Sequence, residues 1–195
     1  MPPILWSMLL LVATPTWAAD ADGRFAIKGV GATSCGEFTS LLANQSPDAQ
    51  RHLGWLQGFL TAENRHRAET FDLAAWQHPA TLVAALQDYC RAHPQAAIYT
   101  AAMALIEAME PGRLREQSLR VEARVEGKSI SLYAATLERL QRALIARGLL
   151  AEDGASGQFD AATQEAIAAF QRENDQPVTG LPDQRTLQAL VHQGG

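Results

Sequence analysis

Apolar residues recur every three or four positions along most of this 195-residue chain, a period that is typical of amphipathic helices. In the first half, helices are expected to begin near Ser34, after Ser46 and after His78, where a serine cap or a first-turn proline precedes an apolar stripe. A fourth helix is expected over residues 95–109. The pattern therefore predicts a four-helix domain over residues 20–110.

One short sequence pattern occurs twice in the second half of the chain. Residues 157–167 return as residues 180–190, with Gly, Asp, Thr, Ala and an aliphatic residue at the same relative positions. In such a unit glycine permits the turn, aspartate caps the free backbone amides, and threonine follows at the third helical position. A longer helix, which Ser131 is expected to cap, precedes the two copies. Together they predict a three-helix module over residues 131–195.

A charged segment lies between the two predicted domains. Residues 111–130 are charged and poor in large apolar side chains, and we interpret them as a linker. Val and Ala alternate with charge over residues 120–126, so a short strand is the alternative there. The arginines of this segment are interrupted by glutamates and the whole chain has a net charge of −5, so no basic stripe for nucleic acid is expected.

The beginning of the chain predicts export. A short apolar run over residues 4–13 precedes small residues at the positions that determine cleavage, which predicts a signal peptide over residues 1–18 that is cut after Ala18. No Lys or Arg precedes the run, so an uncleaved anchor is the alternative. No other apolar stretch approaches membrane-spanning length. We expect a periplasmic protein with no stable membrane span after cleavage.

The chain contains two cysteines, Cys35 and Cys90. In an exported protein a pair of cysteines is expected to form a disulfide, which here would tie the first predicted helix to the third. Two buried free thiols are the alternative. The predicted fold class is therefore all-α, with a disulfide-stapled four-helix domain followed by the three-helix module.

A longer set of spacings extends across the C-terminal module. It comprises Leu137, Leu140, Gln141, Leu144, Gly148, Gly157, Phe159, Thr163, Ala166, Phe170, Gln171, Gly180, Thr186 and Leu187. This set resembles the peptidoglycan-binding domain found beside many cell-wall hydrolases. The resemblance implies a three-helix fold with a shallow groove for glycan or stem peptide. Most of the matching residues have structural roles, so we expect ligand contacts from the polar residues Gln158, Arg172 and Asn174.

The first domain carries a second resemblance. Its residues are Gly29, Val30, Gly31, Ser34, Cys35, Gly36, Trp55, Gly58, Phe59, Asn64, Tyr89, Cys90, His93 and Pro94. They resemble HdeA-like acid-stress chaperones and also type VI secretion immunity proteins, which implies a protein client or a toxin as partner. Acid-triggered loosening would use the charge change of histidines such as His52 and His66; ordinary solvated surface groups are the alternative interpretation.

No catalytic residue is predicted. The chain has no Gly-x-Ser-x-Gly, His-Glu-x-x-His or glycine-rich phosphate loop. Glu63 and His66 have the spacing of a carboxylate-bridged metal motif, but a second such motif is missing. We therefore expect neither an enzyme nor a metal or other cofactor. The predicted function is docking on peptidoglycan, with an acid-stress chaperone or immunity protein, and a hydrolase accessory or cryptic hydrolase, as alternatives.

Overall fold

The computed structural model describes residues 19–191, so the predicted signal peptide lies outside the described residues. This range contains seven α-helices and one antiparallel pair of strands. The helices are α1 (Cys35–Ala43), α2 (Ala49–His66), α3 (Pro79–Ala92), α4 (Ile98–Met109), α5 (Ala134–Ile145), α6 (Ala161–Glu173) and α7 (Gln184–Val191), and the strands are β1 (Arg120–Val125) and β2 (Lys128–Tyr133). Among residues 19–191, no helix combines the length and the apolar character needed to cross a membrane.

Local capping determines where two first-half helices begin. α1 follows Ser34, whose hydroxyl accepts a hydrogen bond from the Glu37 amide at 3.1 Å. α3 begins at Pro79, and Nδ1 of the preceding His78 accepts from the Ala80 amide at 3.2 Å. Proline fits this first position because the N–H that it lacks would have no partner inside the helix. Both predicted helix starts are confirmed.

α2 begins later than the sequence predicts. Pro47 was expected in its first turn, but the helix begins at Ala49. A separate turn precedes it, in which the Ala49 amide donates to the Ser46 carbonyl at 3.1 Å. Such turns are common at the ends of helices, where sequence defines the boundary least sharply.

The first four helices share one apolar core, and a disulfide joins two of them. Cys35 in α1 is bonded to Cys90 in α3, so the predicted disulfide is confirmed. The chain-entropy account gives a cross-link across 55 residues a stabilisation of about 4 kcal/mol. The largest fully buried apolar side chains around it are Phe38, Leu56, Leu73, Leu86, Ile98 and Ile106.

A close contact between a tryptophan and a glycine explains part of the first-domain motif. Gly31 lies so near Trp55 that a Cβ atom there would stand 2.1 Å from Cζ2 of the indole. The indole Nε1 also donates to the Lys28 carbonyl at 2.9 Å. These contacts therefore hold the segment that contains Lys28 and Gly31 against α2. They give a structural reason for the motif, and the HdeA-like assignment stays a prediction.

The structure corrects the linker interpretation and confirms the alternative, a short strand, at residues 120–125. Residues 120–133 form an antiparallel hairpin in which Val121 pairs with Leu132 and Ala123 pairs with Ile130. Ala123 and Leu132 are buried in the same core as the C-terminal helices. Apolar side chains at every second position of β1 face that core, while the charged residues between them face solvent. The charge that suggested a linker lies on one face of a strand.

Two further expectations change with the hairpin. Ser131 is the fourth residue of β2 and does not cap α5, which begins at Ala134. The fold is therefore mostly helical with one small sheet, whereas the sequence predicted an all-α chain. Glu126 and Gly127 connect the strands with φ values of 48° and 78°, the left-handed geometry that two-residue hairpin turns require.

The two halves pack together through the loop between α2 and α3. Trp76, in this loop, packs against the C-terminal core. Gln184 at the start of α7 binds the same loop: its Nε2 donates to the Trp76 carbonyl at 3.1 Å, and its Oε1 accepts from the His78 amide. Arg139 of α5 donates to the carbonyls of Gly112 and Arg113. The C-terminal helices therefore receive support from both the hairpin and the first half.

We expect the hairpin to be necessary for a stable C-terminal module. A fragment of residues 131–195 loses β1 and part of β2, whereas residues 116–195 keep the whole hairpin. Removing Ala123 and its neighbours uncovers the apolar face of the helices, so the shorter fragment should unfold at a clearly lower temperature. Circular dichroism during heating measures this difference. Equal melting temperatures for the two fragments would show that the hairpin contributes nothing to the module.

Candidate functional site

The two copies of the repeated pattern form equivalent helix starts. Asp160 Oδ1 accepts from the Thr163 amide at 2.8 Å before α6. Asp183 Oδ1 accepts from the Thr186 amide at 2.9 Å before α7. Hydrogen bonds from the Thr163 side chain and amide stabilise the charged carboxylate and lower the pKa of Asp160. The predicted capping roles of both aspartates are confirmed.

Both glycines of the pattern occupy left-handed turns. Gly157 has φ +68° and Gly180 has φ +64°. A Cβ atom at Gly180 would also lie 2.9 Å from Cγ of Gln164, and one at Gly157 would lie 3.1 Å from the Ala134 carbonyl oxygen. Glycine is therefore needed at these positions for both backbone geometry and space.

A buried glutamine binds the first copy. Gln141, which is fully buried in α5, accepts from the Gly157 amide through Oε1 at 2.8 Å. Its Nε2 donates to the Gln158 carbonyl and to the Thr163 hydroxyl, both at 2.9 Å. One side-chain amide therefore satisfies the glycine turn and the threonine of the next helix together.

A second glutamine does the same for the second copy. Gln171, fully buried in α6, accepts from the Gly180 amide at 2.9 Å. Its Nε2 lies 3.1 Å from the Leu181 carbonyl and 3.0 Å from the Thr186 hydroxyl. Gly157, Gln158 and Thr163 thus correspond in turn to Gly180, Leu181 and Thr186. Both glutamines belong to the sequence pattern of the module, but spacing alone does not reveal their role.

The predicted ligand residues do not form one site. Gln158 precedes α6, whereas Arg172 is in its last turn and Asn174 caps its end. α6 has 13 residues, so its two ends are about 20 Å apart. The Asn174 side chain donates to the Phe170 carbonyl at 2.8 Å, which is a local structural contact. The structure therefore brings Arg172 and Asn174 near each other and separates both from Gln158.

A groove lined by arginines lies on another face of the module. We call it the arginine groove; its volume is about 440 Å³ and it lies between α5, the end of α7 and the turn after α4. The residues that line it include Arg139, Arg142, Ala143, Ala146, Arg147 and Leu190. Cationic groups therefore border an apolar floor. Sequence reasoning missed this groove because its walls come from segments that are distant along the chain.

The three arginines differ in their existing partners. Arg139 is occupied by the carbonyls of Gly112 and Arg113 and therefore has a structural role. Arg142 pairs with Glu138 at 2.5 Å, and Arg147 donates to the Ala143 carbonyl at 2.9 Å. A guanidinium has five N–H groups, so Arg142 and Arg147 retain donors for an anionic ligand.

The residues that the structure describes give no support for a metal centre. Within residues 19–191, no three His, Cys, Asp or Glu side chains are grouped so that they could hold a metal ion. The arginine groove, in contrast, offers hydrogen-bond donors and positive charge. Its chemistry fits carboxylates on a partly apolar molecule.

Comparison with known proteins supports the C-terminal resemblance. Residues 134–190 match the family described as "Putative peptidoglycan binding domain". The match covers α5, α6 and α7 together with both copies of the repeated pattern. No curated protein and no solved structure matches the chain.

We expect Gln171 to be necessary for the stability of the module. Gln171→Met keeps the side-chain length but leaves the Gly180 amide and the Leu181 carbonyl without their partner. Each buried polar group left unpaired costs about 1–3 kcal/mol, so the free energy of unfolding should fall by at least about 2 kcal/mol. Gln188→Met, at an exposed position of α7, should change it by less than about 0.5 kcal/mol. Urea unfolding compares the two variants, and equal stabilities would contradict the structural role of Gln171.

Proposed function

We propose that this protein binds peptidoglycan through residues 134–190 and that the arginine groove contacts the carboxylates of the stem peptide. The observation that carries the proposal is the family match, which spans the same helices whose repeated turns are held by Gln141 and Gln171. The proposed action is reversible docking without catalysis. Weak individual contacts are sufficient because the cell wall presents many copies of one ligand.

The arginine groove suits a stem peptide better than a bare sugar. Stem peptides combine small apolar side chains with several carboxylates. Ala143 and Ala146 provide an apolar surface of matching size, and Arg142 and Arg147 provide charged donors beside it. A hydrogen bond between a guanidinium and a carboxylate is among the stronger polar contacts in proteins. The predicted contacts at Gln158, Arg172 and Asn174 remain a separate proposal, because no single ligand group reaches all three.

Export to the periplasm is part of the proposal. It is supported by the predicted signal peptide, by the Cys35–Cys90 disulfide and by the match to a wall-binding family. In this arrangement the C-terminal module holds the HdeA-like first domain at the cell wall.

Cosedimentation with purified peptidoglycan sacculi tests the docking function. The chain of residues 19–195 should pellet with sacculi, and Arg142→Ala combined with Arg147→Ala should weaken binding by about tenfold or more. Both side chains are exposed, so the double variant should stay folded. The binding should also weaken at high salt because exposed charges are screened.

Two further variants make this experiment specific. Arg185→Ala removes one charge from an exposed position of α7 outside the groove and should bind like the parent chain. Arg172→Ala tests the contact that the sequence predicted. If the parent chain does not pellet, the docking proposal is wrong; if the double variant pellets like the parent, the groove is the wrong site. Soluble wall fragments in the supernatant would favour the hydrolase alternative.

A second candidate function is supported by a buried histidine in the first half. His52 is 2% exposed, packs against Phe38 with ring centroids 4.9 Å apart, and lies 3.2 Å from the Thr33 hydroxyl through Nε2. Burial lowers the pKa of His52, although the Asp48 carbonyl and the charges of Glu37 and Asp48 partly oppose this effect. Protonation of such a group favours loosening of the core, which is the response that an acid-responsive chaperone uses.

We expect His52 to make the fold less stable in acid. The folded state keeps the ring neutral, whereas the unfolded chain binds a proton near pH 6.5, so stability falls as the pH drops through 6.5 toward the lower folded pKa. Each unit between the two pKa values corresponds to about 1.4 kcal/mol, or about 3–6 °C in melting temperature. His52→Gln should reduce this dependence, and His66→Gln, at an exposed position, should leave it unchanged.

Thermal unfolding between pH 7 and pH 5 gives the measurement. If the melting temperature falls equally with pH in the parent chain and in His52→Gln, the buried histidine is not the acid-sensitive group. Failure of the chain to protect an aggregating client protein at any acidic pH would exclude the chaperone function.

A further inference from the structure

A cavity lies at the junction of the two halves, outside the arginine groove. We call it the junction cavity, and its volume is about 350 Å³. One wall is the loop of residues 72–79, and the other is formed by the hairpin and the beginning of α7. A volume of this size is typical of small-ligand sites, which occur preferentially between packed units.

Three polar side chains meet at the edge of this cavity. Asp72, Arg120 and Tyr133 all line it. The Arg120 guanidinium carbon also lies 4.8 Å from the centre of the Tyr133 ring. A carboxylate, a guanidinium and a phenol therefore line the same cavity.

The surrounding backbone fixes the positions of both charged groups. The Asp72 backbone forms an isolated bridge with Leu114, and its Oδ1 accepts from the Ala74 amide at 3.0 Å. Arg120 donates to the Ser131 carbonyl at 2.7 Å across the hairpin. Each group is therefore held in place before any ligand arrives.

Both groups also retain hydrogen-bonding capacity. A carboxylate has about four acceptor positions, and the Ala74 amide occupies one of those of Asp72. A guanidinium has five N–H groups, and Arg120 directs two of them toward Ser131. One acceptor group and one donor group of opposite charge thus remain available at the same edge.

The rest of the junction cavity is mainly apolar. Ala75, Trp76, Ile130, Leu132 and Leu187 line it. Gln184 holds the far wall through its bonds to the Trp76 carbonyl and the His78 amide. A ligand that fits this lining has an aliphatic part and, at one end, both a positive and a negative group.

We propose that the junction cavity binds an α-amino-acid end group, with its ammonium on Asp72, its carboxylate on Arg120 and its aliphatic chain along the apolar wall. Such a group occurs in free amino acids and at the free end of diaminopimelate in a stem peptide. The second source rests on the proposed binding of peptidoglycan, whereas the chemistry of the cavity does not depend on it.

Calorimetric titration of residues 19–195 with free meso-diaminopimelate tests the proposal. We expect binding with one ligand per chain, and we expect Asp72→Asn and Arg120→Gln each to weaken it by about tenfold or more. Glu122→Gln and Arg124→Gln are matched controls, because these two exposed residues of β1 pair with each other at 2.7 Å and should leave the affinity unchanged. Arg120 is exposed, so its variant should fold even if Asp72→Asn does not.

Ligand analogues separate the two charges. Pimelate lacks the ammonium groups and 1,5-diaminopentane lacks the carboxylates, so both should bind more weakly than diaminopimelate. A muramyl tripeptide that ends in diaminopimelate identifies the source: tighter binding of this peptide supports the cell wall, and equal binding of small free amino acids supports a free ligand.

The proposal is overturned if diaminopimelate fails to bind at millimolar concentrations, if pimelate binds equally well, or if both cavity variants bind like the parent chain. Failure of the same chain to pellet with sacculi would contradict peptidoglycan docking and leave the titration result intact. The two proposals can therefore fail independently.

Discussion

Two buried side-chain amides hold the C-terminal half together. A glycine turn with positive φ exposes a backbone N–H and a carbonyl that the following helix cannot pair, and burial makes an unpaired group costly. Gln141 and Gln171 each supply one acceptor and one donor to such a turn, and each also reaches the threonine at the start of the next helix. The long connections between the three short helices depend on these contacts in addition to apolar packing.

Apolar packing and side-chain hydrogen bonds to backbone groups also hold the boundary between the two halves together. β1 and β2 cover the apolar face that the three helices leave open, and Trp76 extends this cover from the first half. Polar contacts from Gln184 and Arg139 then fix the covering segments in place. The junction cavity and the arginine groove are both products of this arrangement, since each has walls from segments far apart in the chain.

The sequence predicted correctly the features that depend on residues close together in the chain, such as helix caps. Asp160 and Asp183 cap helices a few residues away, so their roles follow from spacing alone. The alternation over residues 120–126 offered a strand as the alternative to a linker, but the pairing with β2 and the helical core that covers one face could not be predicted from that segment alone. Gln141 and Gln171 were missed as structural groups because their partners are contributed by the turn that follows each helix. Gln158 was grouped with Arg172 and Asn174 by residue type, although the rise of about 1.5 Å per residue along α6 places them at opposite ends of that helix.

Trp76 has a consequence for how such proteins can be assembled during evolution. A module that folds alone can be joined to new neighbours by recombination at any point before its first helix. Here a recombination point just before α5 would separate the helices from the hairpin and from a tryptophan that is located between α2 and α3. The C-terminal half is thus joined to its present neighbour by shared packing, and a transfer that begins at α5 would leave this apolar surface uncovered.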